Sequence, residues 1–279
     1  MAITNFIPTI WSENLSRALD NQYIGVANCN RDYEGEIKNC GSVVKICGVG
    51  EVNISQYTKD TDMSLPQTLS DTVTELKIDQ AKYFNFQIDD VDRAQCTPKL
   101  MDAAMKVAAA GLAKDADRYV YSLYSHAGTA VNVDYSSPET LFEAIIRARE
   151  LLYSANVLDS SDVVIEVSPA VASILLKAKI NLCNDNSSTL ETGCLGSIAG
   201  CRIYVSNNIV IHEEAGQFNF HKCLMRTRRA IAFAEQLSEI NAYRPEKRFA
   251  DAVKGLHLYG AKVIYPQEMV LLDLGFPIE

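Results

Sequence analysis

The sequence is short of the residues that most chemistry needs. It has four histidines, His126, His212, His221 and His257, and a single tryptophan in 279 residues. A Cys–His nucleophile could be assembled from any of these histidines, but no local signature supports one. There is no Gly-x-Ser-x-Gly elbow, no His-Glu-x-x-His motif and no phosphate-cradling glycine loop. None of the eight cysteines (Cys29, Cys40, Cys47, Cys96, Cys183, Cys194, Cys201, Cys223) lies in a Cys-x-x-Cys pair, so a zinc site has no support. The spacing of Cys29, Cys40 and Cys47 recurs at Cys183, Cys194 and Cys201, but the flanking residues do not match. Reduced, buried thiols are the expectation. No apolar run approaches the roughly 20 residues of a spanning helix. Met1 to Phe6 has no basic, then apolar, signal pattern, which points to synthesis in a cytoplasm. Basic excess is also missing. The formal charge is −9, against phosphate-driven nucleic-acid binding. The densest basic cluster, Arg226-Thr-Arg228-Arg229, reads as a solvated strand or loop edge.

What is present is an ordinary globular composition, 48% hydrophobic and 22% charged, enough for one large domain or two joined subdomains. Residues 1 to about 30 look like an extended arm. Pro8 and Trp11 could anchor it, and the spacing from Trp11 predicts a short amphipathic helix. Val44 and Ile46 alternate with Lys45, Gly48-Val-Gly50 reads as a turn, and Val52 and Ile54 alternate with polar neighbours. A polar tip from Gln56 to Gln67 and a second strand over Thr72–Ile78 complete a long hairpin. Such a hairpin is marginal in water and must lie on its own body or on a neighbour.

Phe84, Phe86 and Ile88 alternate as a strand. Thr97-Pro98 then opens a long helix toward His126. Its expected core stripe is Met101, Met105, Ala108, Leu112, Ala116, Tyr119 and Leu123, with Asp102, Lys106, Lys114 and Asp117 on the solvent side. Ser137-Pro138 starts a second helix and Ser168-Pro169 a third, with a buried strand at Asp162–Val167 between them. Residues 181–193 read as a loop. Strands are expected at 202–206, 218–224, 230–233, 248–253, 255–264 and 270–274. Mixed helices and antiparallel strand signals make the class α+β. His221 and Cys223 share a strand face, which is two ligands and not a metal site. No catalytic, cofactor or metal residue is assigned. The arm and hairpin are too poor in core residues to stand alone, so Phe6, Pro8, Trp11, Gly48, Gly50, Val52, Ile54 and Tyr57 are the candidate subunit-interaction residues.

Several stretches together resemble a known family. They are Asn5-Phe-Ile-Pro8 with Trp11, Asn30 to Ile37, Phe84 to Gln95, Gly196 to Asn208, Ala230 to Gln236 and Phe249 to Lys262. Each is weak alone, but their serial order is similar to the major capsid (coat) proteins of tailed bacteriophages with the Hong Kong 97-like (HK97-like) fold. The resemblance implies an arm (1–33), an extended loop (34–83), a peripheral domain (84–136 and 240–265) built on a spine helix, and an axial domain (137–239 and 266–279). It implies self-assembly into pentamers and hexamers of an icosahedral head. A separate scaffolding protein, a portal protein and a decoration protein would be partners, and double-stranded DNA a neighbour that is not specifically bound. The protein would be found in the virion after assembly in the host cytoplasm. One branch crosslinks subunits through Lys and Asn, and Lys38, Lys45 or Lys59 would be the donors here, although no matching motif is present. An encapsulin-type cellular shell and a Cys/His-dependent enzyme are the alternatives.

Overall fold

A computed structural model describes residues 19, 23–33, 43–49, 54, 56, 59, 71–89, 100–134, 137–177, 194–214, 218–247 and 249–277. Two sheets and a long helix organise these residues. Strands β3 (Gln80–Asp89), β10 (Ile231–Tyr243) and β11 (Ala250–Val263) form an antiparallel sheet in the order β10-β11-β3. The larger sheet has the order β4-β12-β9-β5-β7-β6, with β8 also paired to β9. Its strands are β4 (Thr129–Val133), β5 (Val163–Val167), β6 (Cys194–Ile198), β7 (Cys201–Val205), β8 (Ile211–Glu214), β9 (Phe218–Thr227) and β12 (Met269–Pro277). Antiparallel pairs dominate, with parallel pairs only at β12–β4 and β5–β7. This is the α+β arrangement that the sequence pattern predicts.

Helix α1 (Leu100–Ser122) is the spine, about 35 Å long at 1.5 Å per residue. Its N-terminal Thr97 and Pro98 lie outside the described residues, and a 3₁₀ turn, Leu123–His126, continues it. Its buried stripe is Met105, Ala109, Leu112, Ala113, Ala116, Asp117, Val120 and Tyr121. Of the expected stripe, Ala108, Tyr119 and Leu123 are only half-buried, and Met101 has no described side chain. Asp117, expected in solvent, is 1% exposed. The stripe is rotated because a second segment of chain, rather than water, covers the Asp117 side.

Helix α2 (Pro138–Ser154) starts as the sequence predicts. Ser137 Oγ accepts from Thr140 N and Thr140 Oγ1 accepts from Ser137 N, satisfying two orphan donors. Leu141, Ile145, Ala148 and Leu152 face the core against β4 and β12. Helix α3 (Pro169–Lys177) follows β5, whose five residues are all buried.

Two strand expectations need correction. The turn at Gly48 is absent, since β1 (Val43–Val49) continues and Gly48 pairs with Thr72 of β2 (Asp71–Lys77). The strands at 248–253 and 255–264 are one strand, β11. Its Gly255 lets Phe84 lie flat, because a Cβ there would stand 2.4 Å from the ring. β10 runs unbroken from Ile231 to Tyr243 in the three-stranded sheet, while residues 129–133 join the larger sheet as β4. The strands at β4, β6 and β8 were not legible as strands. Each is only four or five residues long.

The β1–β2 hairpin lies on the outer face of the three-stranded sheet. Val44, Ile46, Leu76 and Ile78 cluster with Ala232, Ala234 and Leu258. Gly260 makes this contact possible, since a Cβ there would meet the Lys77 carbonyl oxygen at 2.2 Å.

Candidate functional site

Glu166 is the lone charge of β5 and Arg226 ends the apolar run Cys223-Leu-Met of β9, and both are 0% exposed. Arg226 is therefore not the solvated edge residue expected from its cluster. Its Nε donates to Glu166 Oε2 (3.0 Å) and its Nη2 to Glu166 Oε1 (3.0 Å). The other bonds go to the N-terminal segment, from Nη1 to Asn28 O (2.7 Å) and from Nη2 to Gly25 O (3.0 Å). Asn28 Nδ2 donates to Glu166 Oε1 and to Ile24 O. Burying this pair is tolerable only because each of its side-chain nitrogens and oxygens has a partner. Burial pushes Glu166 up, and the Arg226 charge pulls it back. Glu166 keeps Arg226 protonated.

Asp117 holds the same segment from the other side. Its carboxylate accepts from Ile24 N (3.1 Å) and Val26 N (3.0 Å). Burial pushes its pKa up to about 6, and the Val26 and Ile24 amides oppose that shift. Beyond it, Asn30 bridges Ala232 of β10, donating to Ile231 O and accepting from Phe233 N, both at 2.9 Å. Tyr23 and Arg31 then donate to Glu235, which also meets His257 Nε2 at 2.9 Å. Burial alone would raise Glu235. The bonds from His257 and Tyr23, with the His257 and Arg31 charges, bring it below the usual carboxylate value. Residues 23–33 are thus laid into the body, with Tyr23, Val26 and Cys29 in the main core.

The candidate chemistry is accounted for structurally. His221 Nδ1 lies 2.7 Å from Ser168 Oγ, the residue at the start of α3, and its ring lies against Phe276. Cys29 and Cys223 are fully buried, and burial pushes their thiols up to about 11 and about 12. Burial raises Cys201 as well. That is the opposite of an activated thiolate.

The surface offers apolar residues instead. On the outer face of the three-stranded sheet, beyond the hairpin, Tyr83 is 79% exposed, and Phe249, just before β11, is 83% exposed. A groove of about 510 Å³ there is lined by Tyr83, Phe84, Asn85, Asn241, Lys254 and Leu256. Phe142, Ile146 and Tyr153 form a partly exposed stripe on α2. Of the residues expected to contact neighbours, Ile54 is 98% exposed and Gly48 lies in β1. Phe6, Pro8, Trp11, Gly50, Val52 and Tyr57 lie outside the described residues, as do Lys38 and the 181–193 loop. The sequence reading missed Asn28, Asp117, Glu166, Arg226 and Glu235. The available signal was a single charge within Val163-Val-Ile-Glu-Val167 and within Cys223-Leu-Met-Arg226.

No family model and no curated protein matches the chain. Solved structures do. A structure described as Mycobacterium phage Che8 is 26% identical, covers 98% of this chain and 94% of its own, and superposes with a TM-score of 0.70. The capsid of Ralstonia phage GP4 is 12% identical over 94% of this chain and 91% of its own, with a TM-score of 0.69. The capsid of cyanophage P-SCSP1u is 16% identical over 85% and 84%, with a TM-score of 0.65. A virus-like particle from Pyrococcus furiosus is also similar, at 12% identity, 96% and 99% coverage and a TM-score of 0.56. The mixed α+β architecture with these matches to phage capsid structures is consistent with an HK97-like fold.

Proposed function

We propose that this chain is the major capsid protein of a tailed double-stranded DNA bacteriophage, a structural subunit without enzymatic activity. The observation that carries the reading is near-full-length likeness to the Che8 phage structure at 26% identity, joined by the capsids of other phages. The buried, raised thiols and exposed apolar faces support it. Copies of the chain assemble as pentamers and hexamers, with a separate scaffolding protein, a portal protein and a decoration protein as partners. The arm is residues 1–33 and the extended loop 34–83. The peripheral part centres on α1 with β3, β10 and β11, and the axial part on the large sheet with α2 and α3. Assembly takes place in the host cytoplasm, and the −9 charge suits a wall that encloses DNA without gripping it.

Electron microscopy of the purified protein, alone and with the scaffold expressed from a neighbouring gene, tests the reading. Closed shells are expected. Small discrete particles under every condition would overturn it. Shells that enclose protein cargo and never DNA would favour the cellular-compartment alternative.

A further inference from the structure

Two short crossings join the two sheets and a third joins the spine to the larger one, and they lie side by side. One is the 3₁₀ turn Arg228–Ala230 between β9 and β10. The second is Ile264–Glu268 between β11 and β12. The third is Ala127–Gly128 between the spine and β4. They are tied to each other by Ile264 N to Ala230 O (2.8 Å), Gly128 N to Pro266 O (2.9 Å) and Thr227 Oγ1 to Glu268 Oε2 (2.6 Å). Short crossings gathered at one place are the geometry of a hinge. Along the spine, α1 buries Met105, Leu112, Val120 and Tyr121 as well as Ala109, Ala113 and Ala116.

Residues 23–33 span that junction. They bond to Arg226 and Glu166 on the large sheet, to Asp117 on the spine, and to Ile231, Phe233 and Glu235 on the small sheet. We propose that this segment is a removable staple: docked, it locks the spine and the two sheets into one body, and undocked, it lets the sheets swing about the three crossings. Its attachments are mostly polar and directional, and its buried apolar anchors are only Tyr23, Val26 and Cys29. Such a segment detaches at lower cost than an element of the core. The device belongs to the single subunit and does not depend on the shell.

Trypsin reads both halves of the proposal in the unassembled subunit, because Arg31 lies in the segment and exposed Arg228 and Arg229 lie in a crossing. Asp117→Ala removes the acceptor of the Ile24 and Val26 amides, and Asn28→Ala removes the bridge to Glu166. Each variant is expected to raise cleavage at Arg31 and at Arg228–Arg229 together. The rise should be roughly tenfold, the effect of losing one charge-assisted bond. Cleavage after Lys222 and Lys254, within strands, should not change. A rise at Arg31 alone would overturn the locking role, and no rise at either site would overturn the staple. A variant that loses its circular dichroism is replaced by Tyr23→Phe, which removes one hydroxyl and is read in the same way.

Discussion

The segment 23–33 is held by acids, and their ionisation is not equivalent. Asp117 ionises near 6 in the folded chain against an ordinary 3.8. The folded state therefore holds this proton more tightly than the unfolded chain. The penalty for ionising Asp117 is absent below about 4, grows between the two pKa values and is complete above 6. Its size is at most about 3 kcal/mol from the linkage relation. Glu235, held below 4.5, acts in the opposite sense and costs stability only in stronger acid. Urea unfolding of the chain and of Asp117→Asn between pH 4 and 7 isolates the first effect. The stability of the native chain relative to the variant is expected to fall as pH rises through this range. A constant difference would show that Asp117 titrates normally. None of these roles was visible from residue type alone. Asp117 was expected in solvent because its spacing lies off the apolar stripe, and only the covering segment changes that.

At the scale of elements, the strongly periodic and well-capped segments were legible. The N-cap and proline at Ser137-Pro138 and the alternation from Phe84 to Ile88 act within a few residues, so they survive folding unchanged. Short strands were harder. Residues 129–133 and 211–214 make a strand only because β12 and β9 offer them a ladder. Helix α1 contains Gly111, and a Cβ there would meet no atom within 4 Å. Gly111→Ala should therefore stabilise the subunit by about 1 kcal/mol through helix propensity. Thermal unfolding of the unassembled protein measures this. A lowered melting temperature would mean that the helix face at Gly111 is closed by something other than solvent.

For the whole molecule, exposed aromatic surface separates folding from assembly. Tyr83 and Phe249 contribute little to the core of the subunit, yet Tyr83 stands on the open face of the small sheet and Phe249 is exposed just ahead of β11. The double change Tyr83→Ser with Phe249→Ser is expected to leave the unfolding midpoint within about 0.5 kcal/mol, as for surface positions generally. Shell yield by sedimentation should fall severalfold if that face is covered by another copy. Full yield would place the contact elsewhere, for instance on the Phe142, Ile146 and Tyr153 stripe of α2.

The sequence by itself determined the α+β class, the spine helix, the hairpin that must lie on another surface, and the order of motifs that resembles phage coat proteins. These rest on periodicity, caps and serial order, which are properties of neighbouring residues. Only the tertiary structure decided that Arg226, Glu166, Asp117 and Glu235 meet around residues 23–33. They come from β9, β5, α1 and β10, and a buried charge is tolerable only where distant segments bring its partners to it.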